Sequence, residues 1–388
     1  MTVEKAQRLR QLPPYLFVEI DRKKREALAA GRDVINLGVG DPDSPTPQFI
    51  IDRMRTAIDD PANHRYPFDE GVPAFRTASA DFMKNRYGVT LNAEKEVITT
   101  IGSKDGVSHI ALALVDPGDM VLVPQPGYPV YNSAAIFAGG EPHYMPLVRE
   151  NGFLPDLDAI DADVRRRAKL MYVNYPNNPT GAVADLDFYR RLVAFAAENE
   201  ILIVSDAAYN ELYFESPPPS ILQVDGASDL AIEFHSLSKT FNMTGWRLGF
   251  AAGNETMVSA LAQLKSNCDS GQFNAIQWAG LEALQNIEHE EVQAQMVCYR
   301  ERRDVLVKGL NSLGWKVPLP GATFYVWIPC PAGYDSMTTC AKILAEADVV
   351  MIPGLGFGAP GEGYIRAALT VSAQRLAEAV ERIAKITF

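Results

Sequence analysis

The sequence predicts an α/β protein in which a mainly parallel β-sheet is flanked by helices, together with a smaller α+β part. Short β-branched segments alternate with helical patterns, and each strand-like segment ends at Gly, Pro, Asn or Ser, which is typical of βα units. The chain has 388 residues, more than the roughly 250 to 300 at which a single hydrophobic core stops growing. The alternating pattern also changes after residue 290. We therefore expect a large α/β domain and a second, smaller domain.

The strands of the large sheet are predicted from apolar, β-branched segments at residues 97–100, 120–124, 170–174, 201–205, 231–235 and 248–252. Helical periodicity between them predicts helices at 104–115 and 186–199. Beyond residue 290 we expect a long charged helix at 291–313, strands at 323–328 and 364–367, and a closing helix from residue 372. The N-terminal segments 15–30 and 34–37 are too short to fold alone. The predicted division is therefore 1–45 and 291–388 in the small domain, and 46–290 in the large one.

Charge and cysteine content limit the classes of partner. The chain has 36 Lys and Arg against 48 Asp and Glu, a formal net charge of −12, which disfavours nucleic acid or an anionic membrane as partner and favours a small molecule. Cys268, Cys298, Cys330 and Cys340 form no CxxC pair, so we expect buried, reduced thiols and neither disulfides nor a metal site. No run of about 18 apolar residues occurs, and we expect a cytoplasmic protein.

A lysine follows one of the predicted strands directly. The segment 235–240, His-Ser-Leu-Ser-Lys-Thr, is followed by Gly-Trp-Arg-Leu-Gly at 245–249. Ligands of open α/β sheets bind at the carboxyl ends of the strands, so Lys239 is expected to point into such a crevice rather than to be a solvated surface charge. Hydroxyl groups at Ser236 and Ser238 and the guanidinium of Arg247 suit a phosphate.

A second candidate for anion binding is the turn at 100–106, Thr-Ile-Gly-Ser-Lys-Asp-Gly. A strand ends and a helix begins here, so backbone N–H groups are free to bind an anion. We expect Ser103 to cap the helix and Lys104 to add positive charge. Capping without any ligand is the alternative.

Polar side chains follow two further strands. Asp206 comes directly after the strand at 201–205, where it either caps a helix or, if buried, partners a pyridinium nitrogen and keeps it protonated. Tyr209 and Asn178, the latter in the turn Asn-Tyr-Pro-Asn-Asn-Pro-Thr-Gly at 174–181, could donate hydrogen bonds to a phenolic oxygen on the same ring.

Arg366 lies within a predicted strand of small and apolar residues. A buried guanidinium needs an anionic partner. That partner is either an internal Asp or Glu or the α-carboxylate of a substrate.

In their order and spacing, these five motifs, which contain Lys239, Ser103, Asp206, Asn178 and Arg366, resemble those of the class I and II aminotransferases of the fold-type I pyridoxal-phosphate superfamily. The resemblance extends over essentially the whole chain. The resemblance implies a seven-stranded, mainly parallel large-domain sheet and pyridoxal 5′-phosphate (PLP) as cofactor. It implies that Lys239 is the Schiff-base lysine and proton shuttle of a ping-pong amino transfer, that Asp206 partners the ring nitrogen, and that Tyr209 and Asn178 contact the phenolic oxygen. The implied phosphate ligands are Ser103, Lys104, Ser236 and Arg247.

The resemblance also implies roles around the substrate. Tyr128, in Pro-Gly-Tyr-Pro at 126–129, is the expected aromatic ring on the cofactor, and Arg366 the α-carboxylate ligand. Gly40, in Gly-Val-Gly-Asp-Pro at 38–42, belongs to the expected loop over the substrate. Tyr66 is expected to reach a phosphate in the neighbouring subunit, which implies a homodimer with shared active sites.

Two segments resemble the LL-diaminopimelate aminotransferases more than the aspartate enzymes, namely 15–20 and 237–247. That family acts in lysine biosynthesis, and its substrate has a second amino-acid end. The resemblance makes Tyr15, Asp69, Lys104 and Asn274 the candidates to bind that end. The stretch 265–271 has no arginine matching the one that some aspartate aminotransferases present to a side-chain carboxylate, although Lys104 could serve there.

Other functions stay open on the sequence. An aspartate, alanine or broad-range aminotransferase would contain the same five motifs. A carbon–sulfur or cyclopropane-forming lyase would use Lys239 in the same way but eliminate at Cβ or Cγ. A cofactor-binding transcription regulator is disfavoured because such proteins add a basic DNA-binding module, which the net charge does not support.

Overall fold

The computed structural model describes residues 2–12, 17–67 and 70–388. Within those residues its strands are β1 (Ile35–Asn36), β2 (Val97–Thr100), β3 (Met120–Gln125), β4 (Glu141–Pro146), β5 (Ala168–Asn174), β6 (Leu202–Asp206), β7 (Ala231–Ser236), β8 (Gly249–Gly253), β9 (Tyr325–Pro329), β10 (Val349–Val350), β11 (Ile352–Pro353) and β12 (Tyr364–Ala368).

The α-helices within the same residues are α1 (Gln7–Arg10), α2 (Phe17–Ala29), α3 (Gln48–Ile58), α4 (Pro73–Tyr87), α5 (Ser103–Leu114), α6 (Val130–Ala138), α7 (Ala162–Arg167), α8 (Leu186–Glu198), α9 (Leu237–Thr240), α10 (Glu255–Cys268), α11 (Asn274–Gln285), α12 (Glu290–Ser312), α13 (Ser336–Ala347) and α14 (Ala373–Ile383). Side-chain caps start several of them. The carboxylate of Asp185, for example, accepts a hydrogen bond from Phe188 N at the start of α8.

The large sheet has seven strands in the order β2-β8-β7-β6-β5-β3-β4. Strands β4, β3, β5, β6 and β7 are parallel, and β8 is antiparallel to both of its neighbours. The predicted fold class, a mainly parallel seven-stranded sheet flanked by helices, is confirmed. Because β5, β6 and β7 are parallel, their last residues, Asn174, Asp206 and Ser236, come to the same edge of the sheet.

Both faces of this sheet are covered. Along β5, Leu170 and Tyr172 pack into the apolar cluster on one face, while Met171 and Val173 pack into the cluster on the other. Successive side chains of a strand point to opposite faces, so a strand that is buried on both faces is apolar throughout, as 170–173 is.

A second core joins the two chain ends. The N-terminal residues Ile35 and Leu37 pack in one apolar cluster with residues of α12, β9, α13, β12 and α14. Strand β1 pairs in parallel with β10, and Leu37 O accepts a hydrogen bond from Ala368 N. These contacts join residues from the two ends of the chain in one core; the division into 1–45 with 291–388 and 46–290 stays a prediction.

The thiol prediction is partly wrong. Cys340 is buried, but Cys298 and Cys330 are half-buried, and Cys268 is exposed because it is the last residue of α10 and faces solvent. None of the helices within the described residues combines the length and the apolar composition needed to cross a lipid bilayer.

Candidate active site

Lys239 lies at the carboxyl edge of the sheet, in the single turn α9 that follows β7. Ser236 starts that turn, because its hydroxyl accepts a hydrogen bond from Ser238 N at 3.2 Å. The Lys239 Nζ donates to the backbone oxygen of Gly40 at 2.8 Å and lies 5.6 Å from the ring centroid of Phe324. The amine is therefore held under the N-terminal loop rather than free in solvent.

The surroundings of this amine favour its neutral form. Burial lowers the pKa of Lys239 to about 8, with smaller contributions from the positive charges of Arg247 and Arg366 and an opposing one from Asp41. A neutral amine is a nucleophile and a base, whereas an ammonium group is neither. The site therefore makes an ε-amine available for covalent chemistry near neutral pH.

Asp206 is buried at the end of β6, the strand that neighbours β7 in the sheet, and Lys239 follows β7. Its Oδ2 accepts a hydrogen bond from the Tyr131 hydroxyl at 2.8 Å, and its Oδ1 accepts one from Ala208 N at 3.3 Å. Burial raises the pKa of Asp206 to about 6, against the lowering effect of the hydrogen bond from Tyr131. A buried carboxylate with an elevated pKa gains stability from a cationic partner, which is the chemistry that a pyridinium offers.

Tyr131 was not predicted from the sequence. It follows Tyr128 by three residues, a spacing that places both rings on one side of the start of α6, and the two rings meet edge to face with centroids 5.9 Å apart. That spacing was the signal that could have revealed it.

Asn178 connects the sheet edge to Arg366. Asn174, the last residue of β5, donates from Nδ2 to Asp206 O at 2.7 Å and accepts at Oδ1 from Asn178 N at 2.9 Å. The Asn178 Oδ1 in turn accepts from Arg366 Nη1 at 2.8 Å. The Asn178 side chain therefore contacts Arg366, and its backbone is held by Asn174 at the end of β5, which is hydrogen-bonded to Asp206.

Arg366 is buried on β12, and no acidic residue among those described forms an ion pair with it. Its Nη2 donates to Gly38 O at 2.8 Å, and its Nε is buried without a hydrogen-bond partner within the described residues. The guanidinium carbon lies 4.1 Å and 4.7 Å from the ring centroids of Tyr325 and Phe357. A permanent charge fixed in this way is suited to bind a carboxylate.

Tyr209 and Tyr325 contact each other through their rings and hydroxyl groups. Their hydroxyl groups are 3.3 Å apart, and both rings are buried. Tyr325, on β9, was also missed in the sequence. It packs so closely against the N-terminal loop that a Cβ atom at Gly40 would lie 1.9 Å from its hydroxyl oxygen. Position 40 therefore has no room for a side chain.

The turn before α5 and Arg247 lie against each other and form a concavity that is a candidate anion site. Gly102 adopts φ 75° and ψ 155° and is itself the N-cap residue, with no side-chain cap. The expectation that Ser103 caps this helix is therefore wrong: Ser103 is the first helical residue. A Cβ atom at Gly102 would lie 2.5 Å from Arg247 Nη2, so the absence of a side chain lets the guanidinium lie against the helix N-terminus. Backbone N–H groups and a guanidinium at one place bind phosphate well.

Two further predicted residues border this concavity. Lys104 is exposed, and its Nζ lies 6.0 Å from the ring centroid of Tyr128. Tyr128 is half-buried. The structure therefore brings the predicted aromatic ring and the predicted cation together.

Of the remaining predicted residues, only Tyr66 and Asn274 lie within the part of the chain that the structure describes. The Tyr66 side chain is 88% exposed. Asn274 is buried as the first residue of α11, and its Oδ1 has no hydrogen-bond partner among the described residues. Tyr15 and Asp69 lie outside the residues that the structure describes.

Fold and site together define a class of protein. The sequence profile of the family "Aminotransferase class I and II" matches residues 32–383, and the chain belongs to that family. A lysine and a buried carboxylate at the carboxyl edge of a mainly parallel sheet, with a candidate anion site beside them, agree with this membership.

Relatives with assigned names cover the full chain. The chain is 56% identical to the LL-diaminopimelate aminotransferase of Syntrophobacter fumaroxidans, with 100% of each chain covered. It is 53% identical to the enzyme of that name from Aquifex aeolicus, with 98% of each chain covered.

Solved structures are similar along the same length. Substrate-bound BacF from Bacillus subtilis has a TM-score of 0.96 at 38% identity, with 100% of this chain and 99% of that chain covered. Aspartate aminotransferase from Thermus thermophilus with maleate has a TM-score of 0.92 at 32% identity, with 99% of this chain and 100% of that chain covered.

Proposed function

We propose that this aminotransferase binds PLP on Lys239 and transfers amino groups between LL-diaminopimelate and 2-oxoglutarate in lysine biosynthesis. One observation carries the choice of substrate: eight relatives bearing the name LL-diaminopimelate aminotransferase are 49–56% identical over at least 97% of this chain. Identity to the aspartate aminotransferase from Thermus thermophilus is lower, at 32%.

The residues present fit the cofactor. Asp206 would hold the ring nitrogen, Tyr209 and Asn178 the phenolic oxygen, and Tyr128 the face of the ring. The phosphate ligands would be Ser103, Lys104, Ser236 and Arg247. The chemistry that bound PLP supplies is an electron sink that stabilises negative charge at the substrate Cα.

The protein's own groups would perform the remaining tasks. Arg366 binds the substrate α-carboxylate and so fixes which bond at Cα is presented to Lys239. The Lys239 ε-amine, with its pKa near 8, takes the α-proton as general base and later returns a proton as general acid. The Asp206 carboxylate holds a proton on its partner nitrogen. The loop at Gly40, which accepts the amine's hydrogen bond, covers the reacting atoms and excludes water.

The distal end of the substrate would be bound by Lys104, Asn274, Tyr15 and Asp69. Lys104 is exposed and can bind a carboxylate, while Asn274 Oδ1, which has no hydrogen-bond partner within the described residues, can accept from an ammonium group. We also propose a homodimer in which the exposed Tyr66 completes the phosphate site of the neighbouring subunit. The protein would act in the cytoplasm. Its large domain would comprise residues 46–290, and its small domain residues 1–45 and 291–388.

Single half-reactions test this function. The PLP-loaded protein is mixed with LL-diaminopimelate, glutamate, aspartate or alanine, and loss of the bound cofactor's pyridoxal absorbance is followed. We expect rapid conversion with LL-diaminopimelate and glutamate and little with aspartate, and none in the Lys239→Ala variant. Faster conversion with aspartate or alanine would contradict the substrate proposal. Release of pyruvate and ammonia from cystathionine without an oxo acid would instead favour the lyase alternative.

A further inference from the structure

Lys265 is a buried cation that the reaction described above does not use. It lies on α10 with 1% of its surface exposed. Its Nζ donates to Asp105 Oδ2 at 2.9 Å and to Asp269 Oδ2 at 2.8 Å. Burying a lysine is costly unless its charge is paired and hydrogen-bonded, so Asp105 and Asp269 hold this ammonium group in place. We call these three residues the Lys265 cluster.

On one side, the Lys265 cluster reaches the anion-binding turn. Asp105 is the third residue of α5, and its Oδ2 accepts a hydrogen bond from Ile101 N at 3.2 Å. Burial opposes its ionisation, but interactions with His109 and Lys265 outweigh this and lower the pKa of Asp105 to about 2. A full negative charge is thus fixed within the helix turn that would face a phosphate. Like charges at such short range repel unless a cation compensates them.

On the other side, the cluster reaches Arg247. Asp269 Oδ1 accepts from Gly271 N at 2.7 Å. The next residue, Gln272, donates from Nε2 to Trp246 O at 3.0 Å and also to Arg247 O. Arg247 has φ 58°, a left-handed conformation that is unfavourable for a residue with a side chain. The hydrogen bonds from Gln272 thus support the backbone that carries the guanidinium.

We propose that Lys265 is a positioning residue for phosphate binding: it neutralises Asp105 within the anion-binding turn and joins that turn to the segment that supports Arg247. Both halves of the concavity, the turn at 101–105 and the segment 247–249 that leads into β8, are therefore connected to one buried ammonium group. The inference rests on the proposed binding of PLP, and it concerns the phosphate end of the cofactor alone.

The test compares PLP with pyridoxal, which has the same aldehyde and ring but no phosphate. Apparent dissociation constants of both are measured on the apoprotein by visible absorbance, for the wild type and for Lys265→Met, Asp105→Asn and the double variant. Lys308→Met is the matched control, because the Lys308 side chain is 76% exposed.

Lys265→Met is expected to weaken PLP about tenfold, as one uncompensated charge near the phosphate would, and pyridoxal less than about threefold. Asp105→Asn keeps an oxygen for Ile101 N and removes the charge, so it should raise the preference for PLP over pyridoxal. In the double variant the preference should return to within about threefold of wild type. The control should match wild type.

Equal weakening of PLP and pyridoxal in Lys265→Met would show a merely structural role and overturn the inference, as would unchanged PLP affinity. If Lys265→Met does not fold, Asp105→Asn decides alone: a preference for PLP that falls or stays the same contradicts the inference. Failure of the proposed function has a different signature, since the wild type itself would then not bind PLP.

Discussion

Replacing Asp206 with asparagine tests whether the buried, ionised carboxylate destabilises the folded apoprotein when no cationic partner is bound. Asparagine has nearly the same shape and can still accept the hydrogen bond from Tyr131 at 2.8 Å, but it cannot ionise. Its effect should therefore depend on pH. The wild-type carboxyl group has a pKa near 6, raised from 3.8 mainly by burial.

The sign and size follow from linkage. A carboxyl group with a raised pKa stabilises the folded state fully below its unfolded pKa of 3.8 and loses this contribution as pH rises through about 6. The whole difference corresponds to about 3 kcal/mol, at 1.36 kcal/mol per pKa unit. Between about pH 5 and pH 7.5, about 1.4 kcal/mol of this is lost in the wild type and none in Asp206→Asn. The variant should therefore gain about 1.4 kcal/mol relative to wild type over that range.

Urea unfolding of the two apoproteins, at one protein concentration and at both pH values, measures this difference. Asp187→Asn is the control, because the Asp187 side chain is 83% exposed, and it should show no comparable pH-dependent gain. A free-energy difference between Asp206→Asn and wild type that does not change with pH would refute the argument. With PLP bound, the carboxylate would have its cationic partner, so the difference in unfolding free energy between Asp206→Asn and wild type should no longer change with pH. Turnover of the variant should fall at least about a thousandfold.

Three further predictions concern the substrate carboxylate, the N-terminal loop and the cofactor lysine. Arg366→Lys keeps a charge but loses the two-pronged donor geometry, so kcat/KM for the amino acid should fall about a hundredfold, mainly through KM, in steady-state assays; an unchanged KM would contradict the carboxylate role. Gly40→Ala places a methyl group 1.9 Å from the Tyr325 hydroxyl, so it should lower kcat/KM about tenfold and the free energy of unfolding by about 1 to 3 kcal/mol, whereas wild-type values in both assays would show that the loop simply moves aside. The rate at which apoprotein captures PLP should rise about tenfold between about pH 7 and pH 9 and then level off, because burial lowers the pKa of Lys239 to about 8; a rise that continues to about pH 10.5 would indicate an unshifted amine.

Most of the large sheet could be predicted from the sequence because its strands are buried on both faces and are therefore apolar throughout. Strand β4 was missed for the opposite reason. Its sequence, Glu-Pro-His-Tyr-Met-Pro, has mixed polarity and two prolines, and such residues are tolerated where only one neighbouring strand must be hydrogen-bonded. The antiparallel direction of β8 has no local signal either, because it is set by pairing with β7 and β2.

Several of the predicted site residues that lie together end parallel strands of the large sheet or follow them closely, whereas Arg366 lies on the antiparallel strand β12. Asp206 and Lys239 could be located this way because parallel strands bring their carboxyl ends to one edge. Tyr325 and Lys265 could not be located from the sequence, because the role of each depends on partners distant in sequence. Tyr325 packs against Gly40, and Lys265 pairs with Asp105, 160 residues away. Burial of a lysine is a tertiary property that no local pattern reports.

The most direct test of the account is to identify the residue that holds the cofactor. Purified protein saturated with PLP is treated with borohydride, digested and mapped by mass spectrometry. We expect one phosphopyridoxyl group per chain, attached to the peptide that contains Lys239 and absent from the Lys239→Ala variant. Modification of another lysine, such as Lys104, or an unmodified Lys239 peptide would contradict the placement of the reacting amine at the end of β7.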